Sequence, residues 1–306
     1  MAYQKGSGII SLFLMLTFLS HLIFMLSYHG EGYQLYTKYS FLTFMSVFLG
    51  VMWYLTVCTL SVKTDWFFNV LIIAGFANTL VLTGQYFGYN PLLVATDGSA
   101  DIYPTGLFSN QNEASAFLAF CVPAFFKRRL WIGLIIIAWG LYCADSLGGP
   151  VAVYFGVSFW LWAKGHKLIP MISALILFFF ACLFGSPLTA LAERLPGYVL
   201  AIKLISKNWL FGYGPGMFKV ISNLLEDQAK RFLHFEALQA VFEMGIFAGV
   251  LFLFYFRHFI KKIKETDIRI LTGVVIVGVN SIIHFPFHIA PTALVGVTYL
   301  ALMDKK

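Results

Sequence analysis

The chain has 306 residues, of which 59% are hydrophobic, 18% aromatic and only 11% charged, with a formal net charge of +7. Its mean hydropathy is +0.81, whereas a soluble domain carries about a quarter charged residues. The composition excludes a soluble enzyme. It also excludes nucleic-acid binding, because most of the charge is confined to short segments between apolar runs.

Those runs are long enough to cross a bilayer core as helices, and they recur from one end of the chain to the other. Taken in order, ten spans are expected at about 7–28, 40–60, 66–87, 109–126, 130–145, 149–163, 168–184, 236–256, 268–284 and 287–303. Lys5 precedes the first apolar run as in a secretory signal, but that run is too long for a signal core. No small-x-small cleavage site follows, so the segment is expected to stay in the membrane. There is no low-complexity tract, heptad array or internal repeat, and the expectation is a single all-α membrane domain covering residues 1–306. The cysteines, Cys58, Cys121, Cys143 and Cys182, all fall within apolar runs and have no paired spacing. They read as small core residues, not as a disulfide frame or a metal site.

Charge orients the spans. Lys5, Lys63, Lys127, Arg128, Arg129, Lys164, Lys167, the run from Arg257 to Arg269, Lys305 and Lys306 fall on alternate loops, all on one side. The short loops of the other side hold only Lys38, with Glu31, Asp97 and Asp101 among their acids. The positive-inside rule then places both termini in the cytoplasm, which an even number of spans also requires. One long loop, about 185–235 between spans seven and eight, falls outside.

That loop carries the unusual chemistry. From Pro196 to Asn208 the pattern is helical: Val199, Leu200, Ile202, Leu204 and Ile205 form an apolar face, and Lys203 and Lys207 stand one turn apart on another. Pro196 suits a first helical turn, and the segment reads as a helix at the membrane surface. Its lysines, with Arg194, either face water and anionic lipid heads or help to hold a phosphate group. The stretch Phe211-Gly212-Tyr213-Gly214-Pro215-Gly216-Met217-Phe218 ends the helix. Its glycines reach backbone angles closed to other residues, Pro215 stiffens the turn, and amides exposed in such a turn can bind an anion.

His234 stands at the mouth of the eighth span, with Lys230 and Arg231 four and three residues before it. Two cations beside an imidazole favour its neutral, base-competent form; the alternative role is a hydrogen-bonded interfacial anchor. Farther along the same span, Gly245 and Gly249 have the GxxxG spacing that lets a second helix approach closely. Glu243 lies deep enough that it must be either paired to a neighbouring helix or protonated.

Three of these segments together resemble the O-antigen ligase and polymerase superfamily, membrane enzymes of glycan assembly. The family's Arg-x-x-x-aromatic, amphipathic helix and Gly-x-Gly-x-Gly-x-Phe read here as Arg194 to Tyr198, then Gly212, Gly214, Gly216 and Phe218. Its His-Asn-x-x-Leu-Gln-x-x-x-Glu-x-Gly-x-x-x-Gly is filled by His234, Leu238, Gln239, Glu243, Gly245 and Gly249. Upstream, Thr105 to Ala114, with Asn112, is similar to Gly-x-Phe-x-x-Pro-Asn-x-x-Ala; the ending from Asn280 to His288 is similar as well. The resemblance covers residues 105 to about 300. It also has departures: Ile102, Tyr103 and Pro104 stand where an arginine often precedes the upstream motif, and Gln111 replaces its proline. Ser146-Leu147-Gly148 lacks the arginine of Ser-Arg-Gly, and Phe235 replaces the asparagine after the histidine.

The resemblance implies a GT-C-like bundle in the bacterial cytoplasmic membrane, with its site in the outer loop. It implies transfer of a glycan from a polyprenyl-diphosphate-linked donor to a hydroxyl of a glycan, lipid A core or protein acceptor, without cofactor or metal. His234 would then be catalytic. Arg194 would bind the donor diphosphate, with Lys203, Lys207, Lys230 and Arg231 as weaker candidates. Gly212, Gly214, Gly216, Phe218, Asn112, Gln239, Glu243 and Gly245 would shape the motif. Fixed cations would stabilise the charge that develops on the leaving diphosphate, and His234 would take the acceptor's proton. Two other readings stay open. One is a transporter or flippase of lipid-linked sugars, for which Glu113, Asp145 and Glu243 supply ionisable groups but no repeat is visible. The other is an inactive relative, given the missing arginines. A metal pair at His284 and His288 is opposed by Pro286, which interrupts their shared helical face.

Overall fold

The computed structural model describes residues 5–27, 33–60, 62–89, 104–126, 130–166, 186–224, 233, 235–284 and 286–305. Among them every regular element is helical. In chain order they are α1 (Lys5–Ser27), α2 (Tyr33–Thr59), α3 (Thr64–Tyr86), α4 (Gln111–Cys121, continued by a 3₁₀ turn Val122–Phe125), α5 (Trp131–Cys143) and α6 (Gly148–Ala163). After these come α7 (Ser186–Ile205), α8 (Met217–Leu224), α9 (Glu236–Met244), α10 (Ile246–Lys262), α11 (Ile268–Ile283), a 3₁₀ turn Pro286–His288 and α12 (Ala290–Asp304). Two segments, Thr37–Thr59 and Thr64–Tyr86, are long and apolar enough to cross a bilayer; Leu12–Ile23, Trp131–Cys143, Ile268–Ile283 and Ala290–Asp304 are apolar but shorter.

Eight of the expected spans correspond to helices. The seventh, 168–184, lies outside the described residues. The eighth, expected as one helix over 236–256, is two helices, α9 and α10, broken at Gly245. Gly245 has φ 74° and ψ −170°, a region essentially reserved for glycine. The helix expected from Pro196 also starts earlier than its sequence pattern suggests: α7 begins at Ser186 and carries Pro196 in its interior. Pro187 occupies the first-turn position, where a fixed φ and a missing N–H cost least.

By packing, the chain forms two compact units, each discontinuous in sequence. One comprises residues 1–59, 180–265 and 304–306; the other comprises 60–179 and 266–303.

The second unit, built from α3–α6, α11 and most of α12, is held by small residues and a polar clamp. A Cβ at Gly156 of α6 would meet Ile276 of α11, and one at Gly273 would meet the ring of Tyr299, so these glycines let helices close on one another as in membrane bundles. Arg269, buried at the start of α11, pairs with Asp267 at 2.7 Å and Asp65 at 3.2 Å and lies 4.4 Å above the Phe68 ring. A buried guanidinium needs that many partners to offset its lost hydration.

In the first unit, α1 packs on α2 and on the broken helix pair. Thr17 donates to Met244 Sδ at 3.0 Å, and Ser20 donates to the Glu243 carbonyl at 2.9 Å and the Phe211 carbonyl at 3.2 Å. Asp304, almost fully buried, accepts from Tyr54 of α2 at 2.5 Å and pairs with His258 of α10.

Candidate functional site

The break at Gly245 explains the glycine turn. Ending α9 there leaves the carbonyls of Phe242 and Glu243 without helical donors, and buried carbonyls must be satisfied. The turn supplies them. Tyr213 N–H donates to the Phe242 carbonyl at 3.0 Å and Gly214 N–H to the Glu243 carbonyl at 2.9 Å; in return Ile246 N–H donates to the Trp209 carbonyl at 2.8 Å. The contact leaves no room for a side chain. A Cβ at Gly212, whose φ is 70°, would lie 2.5 Å from the Glu243 carbonyl, and one at Gly245 would overlap the Leu210 carbonyl.

Two expectations change as a result. The amides of Gly212, Tyr213 and Gly214 are committed to Asn208, Phe242 and Glu243, so the turn presents none of these three to an anion. Gly245 and Gly249 do not form a helix-crossing seam: Gly245 is a hinge against the loop, and a Cβ at Gly249 would approach Val241 Cγ2 at 3.2 Å, on the short helix just before it.

Aromatic side chains fix the turn. Tyr213 stacks on Phe242 with ring centres 4.8 Å apart, and its hydroxyl donates to the Leu204 carbonyl near the end of α7 at 3.1 Å. Phe218, fully buried, meets the same Phe242 edge-on at 5.3 Å. Gly216 (φ 74°) passes close to Tyr39 and Thr43 of α2. The cluster of Ala201, Phe218, Leu233 and Phe242, flanked by Tyr198, Leu204 and Ile205, is the local core.

Gln239 ties the start of α9 to its end. Its Oε1 accepts from Leu233 N–H at 3.2 Å, and its Nε2 donates to Glu243 Oε1 at 3.0 Å. Glu243 is thus buried and hydrogen-bonded to a side chain of its own helix. One turn of helix separates the two side chains, which is enough to bring them together.

The cationic candidates divide between the two sides of α7. Arg194, Tyr198, Ala201 and Ile205 share one face by helical spacing, with Ala201 fully buried in the local core. Burial holds the Tyr198 phenol above its ordinary value, and the Arg194 guanidinium beside it, within hydrogen-bonding reach, offsets only part of that rise. The same face meets Leu233, whose Cδ1 lies 3.8 Å from a Cβ built on Gly197, and Phe235, whose ring stands edge-on to Tyr198 at 6.4 Å. Lys203 stands nine residues after Arg194, about two and a half turns, and so on the opposite side, where it is exposed. Lys207 lies beyond the end of α7 and is exposed too. Geometry therefore separates Lys203 from Arg194, which sequence spacing had grouped together. The apolar face expected from Val199 to Ile205 is likewise split: Ile205 and Leu204 pack inward, while Val199 and Ile202 are each 58% exposed.

His234, Lys230 and Arg231 lie outside the described residues. Asn112 belongs to the second unit. Its N–H donates to the Asn110 side chain at 2.7 Å, and its Oδ1 accepts from Ser146 at 2.7 Å, joining the starts of α4 and α6. Asn78 and Gln85 hold the preceding segment by accepting from the amides of Leu107 at 2.8 Å and Gly106 at 2.7 Å. Among the described residues, no group of three or more His, Cys, Asp or Glu is gathered to hold a metal ion. Ser20, Tyr213 and Phe242 escaped the sequence reading. Ser20 is one hydroxyl in an apolar run and carries no signal of its partner, whereas an aromatic between two glycines could have been suspected of packing.

Set against known protein families and curated proteins, the chain matches no family model and no curated sequence.

Proposed function

We propose that the chain is a multi-pass enzyme of the bacterial cytoplasmic membrane, about ten spans in a GT-C-like bundle with both termini inside. It transfers a glycan from a polyprenyl-diphosphate carrier to an acceptor hydroxyl on the outer face. One observation carries this reading: the Arg194 face of α7 packs against Leu233 and Phe235, the two sequence neighbours of His234. A cation able to hold phosphate oxygens through two donors therefore lies on the helix face that meets the residues flanking a potential base in sequence, which supports the reading. The Gly212–Gly216 turn and the break at Gly245 brace that neighbourhood.

In the proposed reaction the acceptor oxygen bonds to the anomeric carbon of the donor sugar as the bond from that carbon to the diphosphate oxygen breaks. The acceptor's proton passes to His234, and the negative charge leaves with polyprenyl diphosphate. Arg194, with Lys230 and Arg231 as further candidates, stabilises that charge; no metal takes part. Lys203, on the far side of α7, is not assigned to the donor.

The test is glycan transfer by purified protein in detergent, from a polyprenyl-diphosphate donor, with chelator present. His234→Ala should lower turnover on the order of 10²–10⁴-fold while donor binding survives. Near-normal turnover by that variant removes the base, and a requirement for added metal removes the metal-free mechanism.

A further inference from the structure

The outer side of α7 has its own character. Leu195, Val199 and Ile202 follow one another at helical spacing and are exposed, and Lys203 adjoins them on the same arc. Just past the end of the helix Lys207 and Trp209 are exposed as well, the latter by 55%. None of this belongs to the local core on the opposite side of the helix. Charge on the strip is one-sided: its charged residues are Lys203 and Lys207, and residues 195–224 contain no acidic residue. A loop placed outside the cytoplasm escapes the positive-inside rule when it is long, but an uncompensated cationic stretch there still calls for an anionic partner.

We infer that this side of α7 is a seat for anionic phospholipid headgroups of the outer leaflet. Leu195, Val199 and Ile202 enter the acyl boundary, Trp209 sits at headgroup level, and Lys203 and Lys207 pair with lipid phosphates. Apolar residues flanked by lysines and an indole are the chemistry of a helix lying in the interface. A lone dissolved phosphate would have no use for the apolar stripe, and a soluble acidic protein would leave it facing lipid. The seat rests on the proposed topology, which puts this helix outside, but not on the glycan-transfer chemistry: it uses the other face of the helix and none of the residues assigned to the donor or the proton.

The experiment titrates the full-length protein in neutral detergent with short-chain phosphatidylglycerol, with phosphatidylcholine, and with inorganic pyrophosphate, and reads thermal stability. Phosphatidylglycerol should stabilise the wild type at lower concentration than phosphatidylcholine, and pyrophosphate should not substitute for it. Each lysine near an anionic surface accounts for about fivefold in affinity, so Lys203→Gln with Lys207→Gln should raise the half-maximal phosphatidylglycerol concentration on the order of 25-fold. Trp209→Ala should weaken the response to both lipids. An unchanged phosphatidylglycerol response in the double variant, or equal responses of the wild type to the two lipids, overturns the proposal. Stabilisation by pyrophosphate that the double variant loses also overturns it, assigning the lysines to a free diphosphate.

Discussion

The two sides of α7 are built from similar residues and do different work. On the inner side Ala201 has no exposure and Phe218, Leu233 and Phe242 close around it; on the outer side Val199 and Ile202 stand more than half exposed. Arg194 lies on the first side and Lys203 on the second. The difference teaches that apolar periodicity alone does not tell a packed face from an exposed one. What marks the inner side is its partner, a broken helix whose free carbonyls are capped by the glycine turn.

That contrast can be broken most severely at the hinge. Gly245→Ala forces a side chain into a glycine-only conformation, which costs on the order of 1–3 kcal/mol, and adds the overlap with the Leu210 carbonyl. A marked fall in thermal stability in detergent is expected, with Gly212→Ala next in severity. A Gly245→Ala protein as stable as the wild type would mean that α9 and α10 are one continuous helix. Gln239→Ala removes the group that joins Leu233 N–H to Glu243, and leaving buried polar groups unsatisfied costs about 1–3 kcal/mol. Gln239→Glu keeps the acceptor for Leu233 but sets a second carboxyl against Glu243, so it should recover little; full recovery would show that only the Leu233 contact matters. At the small end, Ile202→Ser on the outer side should change stability by no more than about 0.5 kcal/mol. A loss as large as that of Gln239→Ala would show that protein covers the outer side.

The helices were readable because each apolar run is bounded by charges or turn residues. Lys63 before α3 and the Lys261–Lys264 region at the end of α10 mark ends that the structure places close by. The break at Gly245 was not readable. A glycine in an apolar run has the same spacing whether it admits a second helix or reverses the backbone, and only the approach of Trp209–Phe211 from thirty-odd residues earlier decides between them. Pro196 misled for a related reason: a proline that can start a helix can also sit inside one that started earlier at Ser186. At the site, sequence spacing identified the cations but not their direction. Arg194 and Lys203 look like one basic patch until the helical rotation between them is fixed by where Ala201 is buried.

The central claim is that the inner side of α7, and not its outer side, faces the donor. Its most direct test is donor turnover measured side by side for the wild type, Arg194→Ala, Arg194→Lys and Lys203→Gln, each purified and shown to be folded. The account predicts almost no transfer by Arg194→Ala, partial transfer by Arg194→Lys because an amine cannot copy two-pronged phosphate contact, and turnover by Lys203→Gln within about threefold of the wild type, since an exposed charge loses little when replaced. Equal turnover by the wild type and Arg194→Ala, or loss of transfer in Lys203→Gln alone, would contradict it.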